Sequence, residues 1–363
     1  MESVNEKEEK EKKSEEDLNK TPRFSIIMCC YNLEGIVDTA IESVLGQHFQ
    51  NFELILVNDG SSDGTLKTLR KFEKKANGKI RIINNEKNLG LSASRNIAIA
   101  QAKGEYIVHL DGDDTLYDRT TLAKVDATIG NRTLDIVYFG VQYVGGGNKL
   151  YLPNAENSTQ KARITCDMHF AVASKVWRRE FLEENNLKFI EGMYYEDMVY
   201  SITAAIKAKK TSFGAIPIYV YYRNREGSIM ATPNVARCKD MYKMLYYLME
   251  LYEETPENLQ PYLLSFIKNE TFGVPARLDG IIKSMKDSTY VPVFPKRNYV
   301  FTGDVSTVVD MPEEAVNNPK IIPITVSNEM VAGETPAEIN ISKEEPKIAA
   351  TNNEDLKLLK FDK

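Results

Sequence analysis

Short apolar runs alternate with stretches of helical spacing along the first two-thirds of the chain. Phe24–Cys30 and Phe52–Val57 are apolar at nearly every position, and each predicts a strand buried on both faces. Ile80–Ile83 and Tyr106–Leu110 predict two more strands of the same kind. Between them, Ile36, Ala40, Ile41, Val44 and Leu45 recur at helical spacing within Gly35–Gln47. Leu66–Phe72 and the Ala-rich stretch Leu91–Ala102, which stops before Gly104, predict two further helices. Strands alternating with helices imply a parallel sheet with helices on both faces. Leu134–Phe139, Lys149–Leu152 and Ile216–Tyr222 predict later strands, and Met193–Ala208 a loop leading into a helix.

Beyond residue 230 the pattern changes. Met241, Met244, Leu245, Leu248 and Tyr252 form one stripe at helical spacing, and Leu263, Leu264, Phe266 and Ile267 extend it, so a helical extension is expected over 231–290. The stripe has few basic neighbours, which favours packing over lying on a membrane surface. Residues 1–21 are mostly Glu and Lys and are expected to be a disordered charged tail. Residues 291–363 mix Pro, Glu, Asn and Lys without a period and are expected to be loosely ordered. The α/β part then spans 22–230, with 22–118 and 119–230 as its two halves.

Composition adds exclusions. A chain of 363 residues with 42% hydrophobic and 27% charged residues has ample length for a core and is neither disordered throughout nor a disulfide scaffold. The net charge of -6 speaks against a protein that coats nucleic acid. Cys29, Cys30, Cys166 and Cys238 lack zinc-site spacing and read as free thiols of a reducing compartment, with Cys29 and Cys30 on opposite faces of one strand. The charged N-terminal stretch is not a secretory signal, and no apolar run is long enough to span a membrane. A cytoplasmic location follows as the expectation.

The polar clusters gain meaning from the sheet. Ligands of open parallel sheets bind beyond the carboxyl ends of the strands. Asn32, Asp59 and the run Asp111-Gly112-Asp113-Asp114 all follow predicted strands directly, so they are expected to converge on one crevice. Two carboxylates one residue apart suit a hard divalent cation shared with phosphates, and Gly112 would let backbone approach closely. The blander reading is an acidic turn before a helix at Thr120. For Asn58-Asp59-Gly60-Ser61-Ser62-Asp63 it is a helix cap. Arg95, inside an apolar helix start, is costly unless paired with a carboxylate or a diphosphate.

These motifs together resemble the family 2 glycosyltransferases. Phe24-Ser25-Ile26-Ile27-Met28 through Tyr31-Asn32, Leu54–Asp63, Asn88–Asn96 and Gly104–Asp114 follow in that family's order, and the likeness covers roughly residues 22–230. It implies a GT-A fold, a Rossmann-like, mostly parallel sheet flanked by helices, joining a nucleotide-binding half to an acceptor half. It also implies Tyr31, Asn32 and Asp59 around the nucleobase, Arg95 at the nucleotide, Asp111 near the ribose, and Asp113, with Asp111, on a Mn²⁺ or Mg²⁺ ion at the diphosphate. Cys29 stands where the family usually has Pro. Tyr194-Tyr195-Glu196-Asp197-Met198 resembles the family's Glu-Asp pair, which makes Asp197 the candidate general base; a plain acidic helix start is the alternative. Glu196, Arg223 and Arg225 are secondary candidates for the donor site. Lys175, Arg178 and Arg179 around Trp177 resemble the family's basic segment or are simply a solvated helix face. His109 reads as a packed strand residue, His169 as a remote candidate contact, and His48 carries no signal.

The expected activity is inverting transfer of a sugar from a nucleoside-diphosphate donor, UDP-linked, to a hydroxyl of a cell-surface glycan or lipid-linked glycan. Peripheral attachment at the inner face of the membrane would bring the enzyme to a lipid-linked acceptor. A nucleotidyltransferase that makes such donors is the first rival. Against it, Cys30-Tyr31-Asn32-Leu33-Glu34-Gly35 lacks the basic phosphate loop. A non-catalytic nucleotide-sugar binding module is the second rival, and the intact acidic motifs count against that one. Oligomeric state leaves no mark on the sequence.

Overall fold

The computed structural model describes residues 21–145, 148–153, 159–165, 171–223, 235–271, 299–301 and 308–310. The expected charged tail over 1–20, Arg225, His169, Cys166 and most of 291–363 lie outside the described residues. The chain divides into two compact units, Met1–Thr232 and Pro233–Lys363.

The first unit opens with β1 (Phe24–Cys30), α1 (Val37–Leu45), β2 (Phe52–Asp59), α2 (Thr65–Glu73), β3 (Ile80–Asn85), α3 (Leu91–Gln101) and β4 (Tyr106–His109). β1 pairs in parallel with both β2 and β4, and β2 with β3. β1, β2 and β4 are buried on both faces, which is why their sequences run apolar without alternation, whereas β3, at the sheet edge, is only partly buried. The pleat still sorts them. Phe24, Ile26, Met28 and Cys30 join the core cluster that also buries Val37, Ile41 and Val44 of α1. Ile27, with Cys29 packed beside it, joins the opposite cluster, where Ala98 and Ile99 of α3 lie. The two cysteines do point to opposite faces.

The second half continues with β5 (Thr115–Leu116), α4 (Thr121–Ile129), β6 (Ile136–Val144), β7 (Lys149–Tyr151), α5 (Gln160–Thr165), a 3₁₀ turn (Val172–Ser174), β8 (Lys175–Arg178), α6 (Arg179–Glu184), α7 (Glu196–Lys207) and β9 (Thr211–Tyr222). The nine-stranded sheet runs β3-β2-β1-β4-β8-β6-β9-β5, with β7 beside β6. β8 is antiparallel to both β4 and β6, while β6 and β9 are parallel. The architecture is therefore a mixed sheet whose first half is wholly parallel.

This order fixes where a ligand binds. The chain leaves β1 for β2 on one side and returns to β4 on the other, so the crevice between the C-terminal ends of β1 and β4 is a topological switch point. Two reversals, β4 to β8 and β8 to β6, bring the C-terminal ends of β6 and β9 to the same edge. The start of β8 reaches that edge too, because β8 runs the other way.

β8 overturns one sequence expectation. Lys175–Arg178 is a fully buried central strand, not a solvated helix face. Its ends are charged because partners lie close. Lys175 Nζ donates to Ala171 O at 3.0 Å, and Arg178 Nη2 meets Asp135 Oδ1 at 2.9 Å. β2 and β3 run two residues further than expected, so Asn58, Asp59, Asn84 and Asn85 are strand residues. Their side chains pair across the ladder, Asn58 Nδ2 on Asn84 Oδ1 and Asn85 Nδ2 on Asp59 Oδ1, both at 2.8 Å.

The second unit contains α8 (Val235–Glu254), a helix over 260–271 and an antiparallel pair, β10 (Tyr299–Phe301) with β11 (Val308–Asp310). The expected apolar stripe is buried at Met241, Met244, Leu245, Leu248, Leu263, Leu264, Phe266 and Ile267. No helix among the described residues is long and apolar enough to cross a membrane.

Trp177 is the largest side chain wholly removed from solvent. Its ring meets Tyr200 of α7 edge-on at 5.2 Å, and its Nε1 donates to Val172 O at 3.2 Å. Trp177→Ala should lower stability by about 3–5 kcal/mol, the usual range for deleting a buried indole. Urea unfolding followed by far-ultraviolet circular dichroism measures it, and a loss under ~1 kcal/mol would contradict this packing.

Candidate active site

The crevice is laced together before any ligand is considered. Asn32, at φ 52°, follows β1 and accepts the Ser62 N–H at 2.9 Å on its Oδ1. Leu33 N donates to Thr65 Oγ1 at 2.7 Å, and Gly64 N to Glu34 Oε2 at 2.9 Å. The loops after β1 and β2 thus form one rim, with Tyr31 standing 48% exposed upon it. Gly60, at φ 66°, has no room for a side chain, because a Cβ would lie 2.4 Å from the Lys87 carbonyl carbon.

Asp59 is buried and turned toward the start of α3. Its Oδ1 accepts Leu89 N–H at 2.9 Å and Asn85 Nδ2, and its Oδ2 accepts Gly90 N–H at 2.9 Å. Gly90 is the residue before α3, so the carboxylate satisfies donors at the helix's N-terminus. Asp59 therefore sets where α3 begins, and α3 carries Arg95.

Arg95 is the hub of the site. Its guanidinium is buried, with Nη2 on Asp111 Oδ1 at 3.0 Å and Nη1 on both Glu196 Oε1 at 2.9 Å and Asp197 Oδ1 at 3.0 Å. Phe189, stacked on Tyr200 at 3.9 Å, lies under the guanidinium at 5.2 Å. One cation thus joins the loop after β4 to the start of α7. The structure engages Arg95 with carboxylates of both halves, where the resemblance implied the nucleotide. Burial acts to lower the guanidinium pKa, but Asp197, Asp111 and Glu196 raise it well above its ordinary value.

The acids differ. Burial favours the neutral form of each, yet Arg95 and the hydrogen bond from Glu196 hold Asp197 below the usual carboxylate range. A backbone hydrogen bond with Val172, at the reversed edge formed by β8, adds to this. Glu196 goes the other way: burial and the neighbouring Asp197 charge push it well above its ordinary value. Tyr195 precedes the pair in the left-handed region at φ 66°. A bulky residue held there costs about 1–3 kcal/mol, which the surrounding structure must offset to aim the acids.

Asp111 also accepts the Tyr219 hydroxyl on Oδ2 at 3.2 Å. Asp114, to which no role was attached from sequence, is fully buried, bonded by the Tyr219 hydroxyl and by Tyr222 N–H at 2.9 Å. Burial and the charges of Asp111 and Asp113 push its pKa up to about 8. The loop therefore concentrates negative charge. Gly112 packs rather than opens: a Cβ there would meet Leu33 Cδ1 at 2.6 Å. Arg223 lies over the Tyr143 ring at 4.1 Å. His109 is buried, is pushed down to about 3 by burial and Arg95, and meets Phe189 edge-on at 5.6 Å.

Among the described residues no three His, Cys, Asp or Glu side chains are grouped to enclose a metal. The loop nonetheless fits a Mg²⁺ or Mn²⁺ ion of the kind held by one or two carboxylates plus substrate phosphates. The donor set carries this fit: Asp111 and Asp113, two hard oxygen ligands on one loop, are only partly buried, whereas Asp114 is turned inward. Asp114 and Tyr219 escape a reading of sequence because nothing local separates Asp114 from Asp113, and Tyr219 looks like any strand tyrosine.

A sheet of this order, with acidic side chains at its switch point, is that of the GT-A glycosyltransferases. Staphylococcus aureus TarS in complex with UDP superposes with a TM-score of 0.55 at 22% identity, over 68% of this chain and 70% of that one. Mannosyltransferase PcManGT from Pyrobaculum calidifontis, in complex with GDP-Man and Mn²⁺, gives 0.53 at 15% identity, over 77% and 82%. Residues 25–186 match Glycosyl transferase family 2, and the chain carries a domain of that family. The cholesterol galactosyltransferase of Borreliella burgdorferi is 30% identical over 240 residues, 61% of this chain and 65% of that protein. The chain thus spans just under two thirds of that relative's length.

Removing the hub should be costly. Arg95→Met would leave three acids around an apolar side chain and should destabilise the fold by about 3–5 kcal/mol near neutral pH. Part of that loss should return on acidification, because protonating the acids removes their repulsion. Urea titrations of both proteins at neutral and mildly acidic pH check it; equal losses at both would contradict the electrostatic account.

Proposed function

We propose that this protein is an inverting, metal-dependent glycosyltransferase that moves a sugar from a UDP-sugar to a hydroxyl of a surface glycan or lipid-linked glycan. The observation that carries the reading is the single guanidinium shared by Asp111 and Asp197. A metal-side carboxylate and a candidate base are thereby held in one frame, as in-line displacement requires.

In this reading Tyr31, Asn32 and Asp59 surround the base. Asp59 Oδ2 has a single bonded donor, so it can accept another hydrogen bond from a base N–H. Asp113, with Asp111, would hold the divalent cation, which when bound would offset the charge that develops on the leaving nucleotide. Asp197 accepts the acceptor hydroxyl's proton as that oxygen attacks the anomeric carbon from the face opposite the nucleotide. Transfer by one such displacement inverts the anomeric configuration, giving a β-linkage from an α-linked donor. Residues 22–118 serve as the donor half and 119–230 as the acceptor half. Arg223 and Arg225 are the basic residues this reading assigns to the diphosphate. Cytoplasmic action, with peripheral contact at a membrane carrying a lipid-linked acceptor, belongs to the same proposal.

UDP titrations with and without Mn²⁺, together with UDP release from a panel of UDP-sugars, test it. Asp113→Ala should abolish the Mn²⁺-dependent part of UDP binding. Asp197→Asn should leave UDP binding intact and lower transfer by a hundredfold or more, the order of a general base's contribution. Transfer by Asp197→Asn at the wild-type rate would refute the base assignment.

A further inference from the structure

We propose that Glu196 works as a neutral acid, keeping its proton and donating it in a hydrogen bond to Asp197, and is the positioning residue of the base. The inference rests on the reading of Asp197 as base.

The argument begins with charge. Three carboxylates face one guanidinium, which would leave two negative charges uncompensated if all were ionised. Like charges that share a desolvated site cannot all ionise, so one keeps a proton. The other titratable groups facing the cluster do not change the balance. His109 on β4 is neutral, held far below its ordinary pKa by burial, and burial pushes the Cys29 thiol on β1 up to about 12.

Exposure and partners select which acid it is. The side chains of Asp111, Asp197 and Glu196 are 35%, 28% and 11% exposed, so Glu196 gains least from water when charged. Asp111 accepts a donor besides Arg95, the Tyr219 hydroxyl. Such donors stabilise carboxylates. Glu196 Oε1 and Asp197 Oδ1 meet the same Arg95 Nη1, at 2.9 and 3.0 Å, which sets the two carboxyl groups side by side and within a shared hydrogen bond. Two carboxylates can share a hydrogen bond only if one supplies the proton.

The consequence is mechanical. A neutral Glu196 and Arg95 together fix the rotamer of Asp197, with its charge intact to receive the acceptor's proton. That proton ends on Asp197, and the Glu196 proton stays where it was. The left-handed Tyr195 immediately upstream is consistent with a backbone bent to bring both acids onto one Arg95 nitrogen.

The test compares Glu196→Gln with Glu196→Ala in the full chain, using UDP with Mn²⁺ as the binding probe and UDP release as the turnover probe. Glutamine keeps an acceptor for Arg95 and a donor for Asp197, so it should rescue most of the turnover that alanine loses. Alanine should fall by about a hundredfold, the effect of a small misplacement of a reacting group, with UDP–Mn²⁺ affinity unchanged. Infrared difference spectra at neutral pH should show a protonated-carboxyl stretch in the wild type that Glu196→Gln lacks. If Gln and Ala lose turnover equally, or if no such band distinguishes Gln from wild type, Glu196 is ionised and the proposal fails. Full transfer by Asp197→Asn sinks the base reading instead, and the infrared comparison still decides the state of Glu196.

Discussion

A buried cation cannot stand alone, and Arg95 is buried at the join of two half-domains. Its position follows from a chain of constraints. Asp59, at the end of β2, captures Leu89 and Gly90 N–H and so fixes the start of α3. One turn further on, Arg95 projects into the space between the loop after β4 and the start of α7. The carboxylates that meet it lie 16, 101 and 102 residues away. Taking a guanidinium out of water is unfavourable by several kcal/mol, and only geometry this well satisfied compensates. The acids depend on the same contact, since Arg95 is the cation that each of them pairs with.

The sheet explains how residues so distant in sequence arrive at one edge. Parallel order from β3 to β4 places every loop of the first half that follows a strand at the C-terminal edge. β8 then enters antiparallel and turns its N-terminal end to that edge, which is how Val172 comes to bond Asp197. A further reversal restores the original direction for β6 and β9, delivering Tyr219 and Tyr222 to Asp111 and Asp114. Antiparallel insertion thus lets a second half-domain contribute its own acids and aromatics to a crevice that a purely parallel sheet would build from one half alone.

What the sequence disclosed follows the same division. β1, β2 and β4 were legible because a strand buried on both faces is a local apolar run, β3 from its short Ile-rich core, and Asp59 and Asp111 because the polar residues directly follow such runs. β8 was not, since Lys175 and Arg178 look solvated until Ala171 O and Asp135, the latter more than forty residues upstream, are seen beside them. Arg95 was recognisable as a charge in need of a partner, but its partners were not, because pairing depends on which elements the topology makes neighbours. Gly112 shows the limit of reading glycine from sequence. Its missing side chain makes room for Leu33, which no local pattern announces.

The shared guanidinium also ties the loop after β4 to the start of α7. Asp111 is bonded on both oxygens, by Arg95 on one and by the Tyr219 hydroxyl on the other, while Tyr219 in turn holds Asp114. Arg95 cannot shift without moving its bonds to Asp111, Glu196 and Asp197 together. Asp111, Glu196 and Asp197 are thus tied together by three hydrogen bonds to one side chain. Phe189, held flat against Tyr200, limits that motion because it closes one face of the guanidinium. A stiff aromatic floor beneath a charge shared among three carboxylates favours small, concerted displacements over independent ones.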